Sequence, residues 1–138
     1  MRAVIVADAS LIACVAIRNE DAELAGAVCE ADPVWAAPLI WRSEFRHALV
    51  KYVQRDGMTL DEAMRSFQLA EEIVGGREYQ VSSGRVLEVA ARSKCAGYDC
   101  EYVVLAQDLG VPLVTADRQI LKAFPKTAIS LEEFVLKK

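Results

Sequence analysis

The chain has 138 residues, 54% of them hydrophobic and 26% charged, with a formal net charge of -4 at pH 7. A chain of this length supports one domain with one core, burying about two thirds of the surface that its unfolded form exposes. Its negative balance excludes a general basic nucleic-acid binder, and leaves room for a local basic rim around an acidic centre.

The apolar opening "AVIVADASLIACVAI" is interrupted by Asp8 and followed by no small-residue cleavage signal. It is also shorter than the roughly 20 apolar residues of a spanning helix, so a soluble, cytoplasmic protein with no membrane partner is expected. Within it, Ala3 to Ala7 is a continuous β-branched-rich run that predicts a strand buried on both faces, as in a parallel sheet. Leu11 to Arg18 and Asp21 to Glu30 read as helices, and "VWAAP" as a second strand stopped by Pro38. From Ile40 to Arg55, the residues Trp41, Phe45, Leu49 and Tyr52 form one stripe at helical spacing.

Thr59 and Glu62 form a capping-box signature that opens a helix ended by Gly75 and Gly76. "EYQV" predicts a short strand, and Ser83 caps a helix running to about Lys94. Gly97 and Gly110 punctuate the helical segment "GYDCEYVVLAQDLG", and Pro112 begins the strand "PLVTA". A short helix from Arg118, a strand near "TAIS" and a terminal helix from Leu131 complete the chain as one domain over residues 1–138. Strands alternating with helices predict an α/β fold with a mainly parallel sheet. The four cysteines contain no C-x-x-C pair, and His47 is the only histidine, which argues against structural zinc. Cys14, Cys29 and Cys95 read as reduced filler in helical contexts. Cys100 also reads as structural despite its position beside Asp99.

Both best-supported strands run directly into an aspartate, Asp8 and Asp117, and Asp99 heads a third segment. Each has a purely structural reading as a helix N-cap. In an open parallel sheet, however, ligand sites lie beyond the carboxyl ends of the strands, where Asp8 and Asp117 belong. Glu44 lies on the flank of its helix's apolar stripe; its plainer reading is a solvated glutamate pairing with Arg46 or Lys51. Acids that converge must take up protons or share a cation. All-oxygen donors favour magnesium or manganese, and such an ion would let an acidic pocket attract a polyanion.

"VADASLI", Glu44 in a mid-chain helix, "YDCEYVVLA" and "LVTAD" resemble, in order and spacing, the PIN-domain ribonucleases, particularly the small VapC-type toxins of prokaryotic toxin–antitoxin modules. The likeness spans nearly the whole chain. It implies a three-layer α/β/α sandwich in which Asp8, Glu44, Asp99 and Asp117 hold Mg2+ or Mn2+ and carry catalysis. Ser10 and Thr115 would support those acids or their waters. The implied activity is hydrolysis of RNA phosphodiesters, the ion lowering the pKa of a water and offsetting charge at phosphate. Implied partners are the RNA substrate, an antitoxin protein and a second copy of the chain in a homodimer. Glu101 departs from the family pattern and reads as a first-turn glutamate facing solvent rather than a fifth acid.

Arg18, Arg42, Arg46 and Arg118 are candidate substrate contacts, each with the alternative of an ordinary surface charge. His47 reads as a helix-surface hydrogen bonder and not a general base. The rival from another class is a catalytically inactive PIN-like module that binds RNA or protein, against which the presence of all four acids argues. Aspartyl phosphotransfer through Asp8 would call for a second aspartate where Ser10 stands, or for adjacent acids at the first strand. No G-x-G-x-x-G follows a strand, which weakens a dinucleotide-binding reading.

Overall fold

The computed structural model describes residues 4–17 and 22–137. Ala3, Arg18 and Asp21, which bound three of the expected elements, lie outside them. The described residues form strands β1 (Ile5–Ala7), β2 (Trp35–Pro38), β3 (Glu78–Tyr79), β4 (Leu113–Val114) and β5 (Ala128–Ile129). Between and after these run helices α1 (Ala9–Ile17), α2 (Ala22–Ala31), α3 (Trp41–Arg55), α4 (Leu60–Val74), α5 (Ser83–Ser93), α6 (Gly97–Leu109), α7 (Arg118–Ala123) and α8 (Leu131–Leu136).

The strands form one parallel sheet in the order β3-β2-β1-β4-β5. The central strand β1 is buried throughout, as its unbroken apolar run requires of a strand covered on both faces. Chain direction reverses its progress across the sheet at β1, since β2 lies on one side and β4 on the other. Such a switch point leaves a crevice at the strands' carboxyl ends. α6 lies over β1, β2 and β4 with α5 packed against it, while α1 packs on α2, α3 and α4, completing an α/β sandwich. α6 has little amphipathic character because Cys100 and Tyr102 to Ala106 are all buried between the sheet and α5.

Local signals act where the chain places them. Thr59 and Glu62 form the reciprocal capping box at α4, and Gly75 ends that helix with φ 53° in the left-handed region. The cap of α5 is Ser82 rather than Ser83: Ser82 is extended and its side chain accepts from the Arg85 N–H, which makes Ser83 the first helical residue. β2 stops at Pro38 as expected, its last residue paired in register with Tyr79. Cys95 is buried in the link between α5 and α6 rather than on a helix, and no disulfide is formed among the described residues. No helix among the described residues is long and apolar enough to cross a membrane.

Candidate active site

At the carboxyl edge, β1 and β4 pair with Ala7 opposite Val114, so the next residues, Asp8 and Thr115, leave the sheet side by side. Both are buried. The Thr115 hydroxyl donates to Asp8 Oδ2, while Ser10 Oγ (2.8 Å) and the Leu11 N–H (2.9 Å) donate to Asp8 Oδ1. Asp8 therefore caps α1 from the end of β1. Thr115 Oγ1 in turn accepts the Asp117 N–H at 3.0 Å. Asp117 caps α7, its Oδ1 accepting from the N–H groups of Gln119 (2.9 Å) and Ile120 (3.2 Å).

Glu44 and Asp99 reach the same place from first turns. The chain leaves β2 at Pro38 and enters α3 at Trp41, so Glu44 stands in the opening turn of α3. Its partner is neither Arg46 nor Lys51: the Tyr102 hydroxyl donates to Glu44 Oε1 at 2.5 Å from the buried middle of α6. Asp99 is the third residue of α6, whose N-cap is Ala96 without a side-chain cap, so the capping reading of Asp99 does not hold. No hydrogen bond to either Asp99 oxygen is found among the described residues.

Asp8, Ser10, Glu44, Asp99, Tyr102 and Asp117 line one cleft of about 760 Å³. Four helix amino termini, those of α1, α3, α6 and α7, thus each present an acid to it. The electrostatics reflect this convergence. Burial raises the Asp8 carboxyl above its ordinary value against the lowering pull of Thr115, Leu11 and Ser10, and the charge of Asp117 adds to the rise. Asp99 is raised by burial and by the charges of Asp117 and Asp8. Glu44 is raised by burial, held back by Tyr102, and raised further by Asp99, Asp8 and Glu101. The Tyr102 hydroxyl is pushed far up by its own burial and by Glu44, so it remains a donor.

These donors are all oxygen, the chemistry of a hard divalent ion, and their mutual repulsion is what such an ion relieves. Among the described residues no three His, Cys, Asp or Glu side chains close into a ready cage. Magnesium does not require one, since it keeps several waters and takes one or two carboxylates directly.

The expected accessory residues are sorted by the same geometry. Arg42 does not line the cleft: its guanidinium pairs with Glu78 and Glu71 and lies over the rings of Trp41 and Phe67. Arg46 bonds Ser43 and lies over Phe67, along an apolar groove between α3 and α4. Arg118 is exposed beside a smaller pocket that shares Ser10, Cys14 and Ala116 with the cleft. Arg18 lies outside the described residues. Glu101 does not join the cleft; partly exposed, it lines a separate surface pocket with Tyr79 and Val86 and is raised by burial. Cys100 is buried against Ser93 and the Cys95 carbonyl and is not among the residues lining the cleft. His47 does line the cleft, from an exposed position, together with Lys51, Tyr52 and Arg55. The last three were legible as a helical stripe: with Glu44 and Ala48 they fall at 44, 48, 51, 52 and 55, spacing that keeps one face of α3 toward the acids.

The parallel α/β sandwich is a fold with solved counterparts. The chain is similar to the crystal structure of PAE2754 from Pyrobaculum aerophilum, with a TM-score of 0.71 and 24% identity over 99% of this chain and 97% of that one. It is also similar to a chain of a toxin-antitoxin complex from Klebsiella pneumoniae, with a TM-score of 0.65 and 15% identity over 92% and 97% of the two chains. No protein-family model and no curated protein matches the sequence.

Proposed function

We propose that the protein is a metal-dependent ribonuclease of the PIN-domain, VapC-like kind, the toxin of a toxin–antitoxin pair. The observation that carries this reading is the convergence of Asp8, Glu44, Asp99 and Asp117, spread over more than a hundred positions, on one cleft where the charges of Asp8, Asp99 and Asp117 raise neighbouring acids of the set. The fold shared with a chain of a toxin-antitoxin complex supports the toxin role and an antitoxin partner; a homodimer belongs to the same reading.

Magnesium or manganese would be held by Asp8, Glu44, Asp99 and Asp117. When bound, such an ion lowers the pKa of a water and neutralises charge developing at phosphate. The remaining work falls to the chain. Thr115, Ser10 and the Leu11 N–H fix Asp8 so that its oxygens do not swing, and Tyr102 fixes Glu44 from below. α7 orients Asp117 by holding Oδ1, which leaves Oδ2 without a hydrogen bond among the described residues.

The test is cleavage of mixed single-stranded RNA by purified protein in magnesium, in manganese and in chelator, with Asp99→Asn alongside. Cleavage is expected with either metal, to stop on chelation, and to fall at least about a hundredfold in the variant, the scale of losing one well-placed electrostatic contact. The variant should stay folded, because Asp99 anchors nothing. Undiminished cleavage in chelator would refute the mechanism. Absence of both cleavage and metal binding would support the inactive RNA- or protein-binding module instead.

A further inference from the structure

We propose that the carboxyl-terminal half of α3 is a single-strand binding ramp, with Lys51 and Arg55 holding backbone phosphates and the Tyr52 ring stacking a base. The proposal rests on the ribonuclease reading and names how its substrate is held. Lys51, Tyr52 and Arg55 line the acid cleft. At a rise of about 1.5 Å per residue, Lys51 lies roughly 10 Å and Arg55 roughly 16 Å along the helix from Glu44. Phosphates flanking the scissile one can therefore reach both cations.

Three other arginines near α3 are already engaged. Arg42 is paired with Glu71 and Glu78, Arg46 lies over Phe67, and Arg77 donates to the carbonyls of Trp35, Ile73 and Gly75. Lys51 and Arg55 are exposed and form no ion pair among the described residues, although Asp56 borders the same cleft. The Tyr52 ring is half-buried, lines the cleft, and stacks on no aromatic ring among the described residues, unlike Trp41, Phe45 and Phe67. Two uncommitted cations flanking an unstacked aromatic form the combination that binds single strands without reading sequence. A duplex keeps its bases stacked inside and cannot use the ring.

Binding of fluorescently labelled polyuridylate and polyadenylate to the full chain, measured by anisotropy over a salt series in chelator, tests the proposal. Each lost phosphate contact lowers the slope of log K against log salt by about 0.7, so Lys51→Ala with Arg55→Ala should lower it by about 1.4. Lys51→Arg and Arg55→Lys should restore the slope. Tyr52→Leu should weaken both oligomers at least about fivefold, Tyr52→Phe should not, and annealed duplex should bind more weakly than either strand. Lys126→Ala, exposed on the loop entering β5 at the opposite edge of the sheet, should change nothing. If the wild type binds and cuts RNA with an unchanged slope in the double variant, or with equal affinity for duplex, the ramp is wrong and the ribonuclease reading stands. If the wild type neither binds nor cuts RNA, both fall.

Discussion

Thr115→Val removes one hydroxyl from the junction of β1 and β4 while keeping the side chain's shape. That hydroxyl is fully buried and serves two acids: it donates to Asp8 Oδ2 and accepts the Asp117 N–H at 3.0 Å. A hydrogen bond to a charged group contributes about 1.5–3 kcal/mol, and the abandoned Asp117 N–H adds on the order of 1 kcal/mol. The expected destabilisation is about 2–4 kcal/mol, or on the order of 10 °C in Tm for a chain of this size. Its pH dependence is the sharper test. The native Asp8 carboxyl sits above 3.8, so its contribution to stability is full below that value and is lost as pH rises through the native one. Thr115 is the largest of the influences that lower the native value, so without it the value moves further up and the loss grows. The gap between wild type and variant should therefore be smallest in acid and widen toward neutrality. Urea unfolding in chelator across that range measures it. A gap that is constant with pH, or that narrows toward neutrality, would show that Asp8 is not an anion held by Thr115.

Two further outcomes follow from the same geometry. Magnesium or manganese at a hundredfold excess over its dissociation constant should stabilise the wild type against unfolding by about 2.7 kcal/mol, and Asp99→Asn should blunt that gain in a thermal-shift titration. Arg42→Ala should cost about 1–2 kcal/mol through loss of its partly exposed carboxylate pairs and its stacking on Trp41 and Phe67, with RNA cleavage per folded molecule unchanged.

Elements bounded by breakers could be read from the sequence even when tiny. β4 and β5 hold only two paired residues each, yet Pro112 and the link before Ala128 delimit them. What the chain does not write locally is the order β3-β2-β1-β4-β5, which depends on how α6 covers three strands at once. The same holds for Glu44. A glutamate on the flank of an apolar stripe looks solvated until Tyr102, 58 residues later, arrives from another helix to bond it. Tyr52 shows the reverse error: helical spacing assigns it to the core stripe with Trp41, Phe45 and Leu49, but only those three are buried, and Tyr52 turns toward the cleft.

Capping does not compete with the proposed metal role of Asp8 and Asp117, because a carboxylate has two oxygens. Asp117 commits Oδ1 to the first turn of α7 and retains Oδ2. Asp8 fills Oδ1 with the Ser10 hydroxyl and the Leu11 N–H, and its Oδ2 keeps a second lone pair beside the one that accepts from Thr115. The cap is what makes the acid usable: helix N–H groups fix its direction and the helix dipole offsets part of the cost of burying charge. An acid without such anchoring would escape its neighbours by turning outward. Asp99 has only its place in the first turn of α6 to hold it, and it is the member of the set whose charge can be removed without loosening the fold.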